Sequence, residues 1–102
     1  MKRYKAYKEY LINSLKDPVE ASAYLNAALE ETFETKDTGI FQVAVRDVVE
    51  AHGGMSKIAS KMEVSRESFY RSVSQKGNAR FSTLANAIRA CGLEFEIRPP
   101  TK

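Results

Sequence analysis

Apolar residues recur every three or four positions along most of this chain, and the spacing tightens to two only near its end. Tyr4, Tyr7, Leu11 and Leu15 make a first helical stripe, with lysines on the opposite side, and this predicts a helix docked on a core rather than an interaction arm. "DPVE" follows as a start signal: Asp17 as N-cap, Pro18 at the first helical position and Glu20 completing a capping box. The next helix carries Tyr24, Leu25, Ala28 and Leu29 on one side and runs out in "EETFETKDTG", a polar seam. Beyond it, Asp37 or Thr38 can cap a helix whose face is Ile40, Phe41, Ala44, Val45, Val48 and Val49.

"HGG" at 52–54 ends that helix, with His52 at the negative end of its dipole. Ser56 is the expected cap of a short helix to about Met62, and Ser65 of another to about Ser74. After the turn-rich "QKGNARF", Ser82 to Cys91 forms a further helix striped by Leu84, Ala87, Ile88 and Cys91 and stopped by Gly92. Leu93, Phe95 and Ile97 then alternate with Glu94, Glu96 and Arg98, which is the period of a strand, closed by Pro99 and Pro100. A single strand cannot satisfy its own backbone, so this one calls for a partner strand across a homodimer axis, with Leu93, Phe95 and Ile97 as the interface.

The pattern predicts an all-α protein with one short C-terminal β-strand. Residues 1–36 form an N-terminal helical extension packed on the core, and 37–102 a second unit ending in the dimerisation strand.

The interruption at Glu63, Val64 and Ser65 matters most. Two short helices that cross steeply need a small residue at the crossing, supplied by Ala59, and an apolar inner side, supplied by Ile58, Met62, Phe69 and Val73 with Val64 plugging the corner. Arg66, Glu67, Tyr70 and Arg71 are left facing outward. A short helix presenting its N-terminal polar residues is what a major groove accepts.

Charge sharpens this reading. The net charge is only +3, but residues 1–16 balance at +4, residues 17–54 at −6 and residues 55–102 at +5. The return to positive charge coincides with the helix pair, which favours a nucleic-acid partner. A lone cysteine, Cys91, among apolar neighbours reads as a buried thiol in a reducing, cytoplasmic setting. No apolar run is long enough to span a bilayer. With one histidine, one cysteine and no phosphate-cradling glycine loop, neither an enzyme nor a cofactor or metal site is expected.

"SKIASKMEVSRESFYRSVS" resembles the helix-turn-helix of the Cro/lambda-repressor-like (Xre) regulators. The longer run from "AVRDVVEAHGG" through "GNARFSTL" to "LEFEI" is similar to the antidote proteins of addiction modules, small antitoxins encoded beside a RelE/HigB-like toxin. With "LKDPVEASAYLNAALEE" upstream, the likeness covers roughly residues 15–98. It implies a lambda-repressor-like helix-turn-helix bundle, a homodimer on double-stranded operator DNA and a cognate toxin. Glu63 departs from the glycine favoured in the wider regulator family, which fits a corner that closes without a positive φ. The strand stands where repressor-like domains commonly have a fifth helix.

Carried over residue by residue, the likeness makes Arg66, Glu67 and Arg71 base-reading groups, with Tyr70 either beside them or packed on the domain. Arginine can bond guanine through two hydrogen bonds and glutamate can accept from cytosine N4. Ser56, Lys57 and Ser65 would meet phosphates at helix N-termini, and Lys76, Asn78 and Arg80 would flank the backbone. The rival reading is a pure protein-interaction module, with a structural helix pair and a working surface in the acidic and aromatic N-terminal half.

Overall fold

A computed structural model of the protein describes residues 2–74 and 78–101, and within them the chain forms six helices. These are α1 (Lys2–Ser14), α2 (Pro18–Thr35), α3 (Thr38–Ala51), α4 (Gly54–Met62), α5 (Arg66–Ser74) and α6 (Phe81–Ala90). Their starts follow side-chain chemistry. Asp17 Oδ1 accepts the Val19 N–H at 2.9 Å, with Pro18 as first helical residue of α2. Asp37, rather than Thr38, caps α3 by accepting from Gly39 N–H at 2.9 Å. Ser65 Oγ accepts from Ser68 N–H at 3.0 Å and so launches α5. Helix α4 differs from expectation: it begins at Gly54 behind Gly53, whose φ is +123°, and Ser56 lies inside its first turn rather than capping it.

Helix α3 is the hub. It buries Phe41, Ala44, Val45, Val48, Val49 and Ala51, and α1, α2, α4, α5 and α6 all pack against it. Helix α1 docks through Leu11 and Ile12, with the fully buried Leu15 just past its end. The expected tyrosine stripe is not what holds it, since Tyr4, Tyr7 and Tyr10 stay 61–72% exposed. His52, just past the end of α3, places Nε2 2.9 Å from the Leu15 carbonyl, which only accepts, so that ring nitrogen carries the proton and ties the two helix ends together.

Gln42 is a polar side chain buried in this apolar hub. Its Nε2 donates to the Val73 carbonyl at the end of α5, and its Oε1 accepts the Ala79 N–H at 3.1 Å. One amide thereby fixes both the last turn of α5 and the segment leading to α6.

No strand is found among the described residues, so the expected β-strand at 93–98 is corrected. Gly92 has φ +87° and its N–H donates to Arg89 O at 2.9 Å, while Leu93 N–H donates to Ile88 O at 3.2 Å. These two bonds make a Schellman ending that folds the chain back over α6. Leu93 packs on the core, Phe95 sits 5.7 Å from Phe81 ring to ring, and Ile97 is 99% exposed. The alternation in the sequence thus records a tail peeling away from the core. The dimer argument that began from an orphan strand loses that premise.

The same Schellman pattern forms the corner between α4 and α5. Val64 N–H donates to Ala59 O and Glu63 N–H to Ser60 O, both at 3.0 Å. Glu63 occupies the left-handed position with φ +61°, so the corner does require a positive φ. Val64 is 42% exposed and rims the corner rather than plugging it; Ile58, Ala59, Phe69 and Val73 fill it.

Two expected outcomes follow from this geometry. A side chain with a Cβ in the left-handed region costs about 1–2 kcal/mol, so Glu63→Gly should raise the unfolding free energy by about 1 kcal/mol in urea titrations, with helix content unchanged. Gln42→Leu should lower it by about 2–4 kcal/mol, because it strands a buried carbonyl and a part-buried amide. Rapid hydrogen exchange of the Ala79 amide in that variant would register the loss directly.

Candidate functional site

Helix α5 divides cleanly along its length. Phe69 and Val73 are buried, each stabilising the bundle by about 1.5–3 kcal/mol, and they fix the rotation of the helix. Arg66, Glu67, Tyr70 and Arg71 are therefore held outward and, with Ser74, line one shallow depression. The Arg66 guanidinium lies over the Tyr70 ring, 5.8 Å from its centre, a cation–π arrangement that orients the arginine. Tyr70 is 46% exposed, and it also lines a second cavity together with Tyr4 and Tyr7.

The residues expected to meet phosphates are distributed around this helix. Ser65 is exposed at the α5 N-terminus, its Oγ engaged by Ser68 N–H. Ser56 and Lys57 are exposed in the first turns of α4, where the Lys57 stem passes over Gly53 so closely that a Cβ there would sit 2.4 Å from its Cδ. Asn78 and Arg80 are exposed on the segment that follows α5, which Gln42 tethers through Ala79. Lys76 lies outside the described residues. Of the three expected interface residues, Leu93 is drawn into the protein's own core, whereas Phe95 and Ile97 remain available on the surface.

Two features were not foreseen. The first is Gln42, whose only signal is an amide placed within an otherwise apolar stripe. The second is a groove between α2 and α3, of about 660 Å³, floored by Ala28, Gly39 and Ala44 and reaching the end of α5 at Val73 and Ser74. Beside it, across Val43 and Arg46, lies a cavity of about 490 Å³ walled by α1, α3, α4 and Tyr70. Tyr24 borders both, and its hydroxyl donates to Asp47 Oδ2 at 2.6 Å. Burial, and then the carboxylate it bonds, hold the Tyr24 phenol protonated far above the usual range.

Cys91 is buried, and desolvation pushes its thiol up to about 11, the opposite of what a reactive cysteine requires. Among the described residues, no group of three or more His, Cys, Asp or Glu side chains is placed to hold a metal ion, and no helix is long and apolar enough to cross a membrane.

Comparison with known proteins gives this architecture a family. The chain is 32% identical over 79 residues to an uncharacterized protein of Haemophilus influenzae (strain Rd), an alignment spanning 78% of this chain and 76% of that one. No solved structure matches it. A family described as "Probable addiction module antidote protein" matches residues 6–99, nearly the whole length. The protein belongs to the addiction module antidote family.

Proposed function

We propose that the protein is the antitoxin of a type II toxin–antitoxin module, binding its own operator DNA as an Xre-like helix-turn-helix repressor and neutralising a RelE/HigB-like toxin. Family membership supports an antidote role and a toxin partner in general. The observation that carries the DNA reading is the α5 face: Arg66, Glu67, Tyr70 and Arg71 are exposed together on a helix whose rotation Phe69 and Val73 fix. Arginine and glutamate at the first two positions of such a helix are suited to opposite members of a G·C pair. Exposed Ser56 and Lys57 in the neighbouring helix suit a phosphate contact beside it.

Operator binding also implies two-fold symmetry. A homodimer would set two α5 helices into successive major grooves, about one helical turn apart on a near-palindromic site. Phe95 and Ile97, exposed on the C-terminal tail, are the apolar groups proposed for its interface.

In electrophoretic shift experiments on the protein's own promoter, Arg66→Ala should erase about 1–3 kcal/mol of preference at one base pair. Lys57→Ala should instead weaken specific and random DNA alike and reduce the salt slope by about 0.9. If the folded wild-type protein gives no specific shift at modest salt, the repressor reading fails. Ile97→Asp should shift sedimentation at micromolar concentration from dimer toward monomer; an unchanged dimer would place the interface elsewhere.

A further inference from the structure

We propose that the groove between α2 and α3 is the seat of the toxin, and that it receives an apolar anchor side chain flanked by basic residues. This rests on the antitoxin reading and adds to it a surface and a recognition chemistry.

Shape comes first. The groove has the volume of a pocket for a bulky side chain or a helical turn, since such sites span about 300–1,000 Å³. Its floor is open because Ala28, Gly39 and Ala44 leave space where larger residues would have closed the α2–α3 contact. Val43 stands on its edge, 53% exposed on a helix that is otherwise mostly buried. An amphipathic helix laid into such a groove would cover it.

Rigidity comes second. The walls are pinned at both sides: Tyr24 is bonded to Asp47, and Gln42 is bonded to Val73 and Ala79. A pre-formed groove loses little ordering entropy on binding, which favours tight association.

Charge decides the partner. Glu31 and Asp37 line the groove against Arg46, and Glu30 and Glu34 are exposed on the same helix. The segment from residue 17 to 54 balances at −6. The α5 side lies in the segment that balances at +5 and would repel a basic protein that the α2–α3 side attracts. A basic toxin therefore has one favourable face on this molecule, while polyanionic DNA prefers the other.

The test uses full-length protein co-expressed with the product of the adjacent gene. Ala27 is exposed and lines the groove, so Ala27→Arg fills the entrance and cancels the net negative charge of its lining without touching the core. That variant should bind the co-expressed toxin at least tenfold more weakly by calorimetry, with an unchanged thermal midpoint and an unchanged operator shift. Glu31→Lys should weaken binding several-fold, more at low salt than at high. Toxin affinity within twofold of wild type for Ala27→Arg would overturn the groove assignment alone. Failure of the wild-type protein to bind the adjacent gene's product would overturn the antitoxin reading and the groove assignment together.

Discussion

Helix α3 can bury most of its circumference only if other helices bring apolar surface to it from several directions. Val45, Val48 and Val49 are each at most 1% exposed, and five helices share the task of covering them. Both candidate surfaces are placed by that requirement. The rotation of α5 follows from Phe69 and Val73 reaching the hub, and the position of its last turn follows from the Gln42 amide emerging from the hub. A buried amide must be satisfied on both its oxygen and its nitrogen, so Gln42 admits few alternative placements of α5.

Two surfaces result, of opposite electrical character. One is the exposed side of α5, with two arginines, a glutamate and a tyrosine in a row. The other is the groove over α2 and α3, apolar at the bottom with carboxylates in its lining. They meet at Ser74, which borders both. On the proposed reading, DNA would meet the first surface and a basic toxin the second, and neither surface would have to tolerate the wrong charge.

Much of this was legible in the sequence because local chemistry dictated it. Asp17, Asp37 and Ser65 cap helices through bonds that span two or three residues, and such bonds survive any tertiary context. Ala59, Phe69 and Val73 were recognisable from helical spacing. What escaped depended on backbone conformation or on distant chain segments. Nothing in a glutamate announces a left-handed φ, and Glu63 adopts one where α6 uses Gly92 for the same turn. The period-two pattern at 93–97 was real but belonged to a tail leaving the core. The tyrosines of α1 had a helical spacing yet remained outside, since Leu11, Ile12 and Leu15 already anchor that helix. The groove is a product of three helices meeting and has no linear signature.

The C-terminal tail has a consequence for behaviour at high concentration. Segments outside regular structure that expose apolar residues, as this one does with Phe95 and Ile97, are the kind that stack on copies of themselves into cross-β aggregates. Here every apolar residue is separated from the next by Glu94, Glu96 or Arg98, and two prolines without N–H groups follow at once. Like charges brought into register would repel, and the prolines cannot donate to a growing sheet. These charges and prolines oppose the tail's becoming a seed for fibrils.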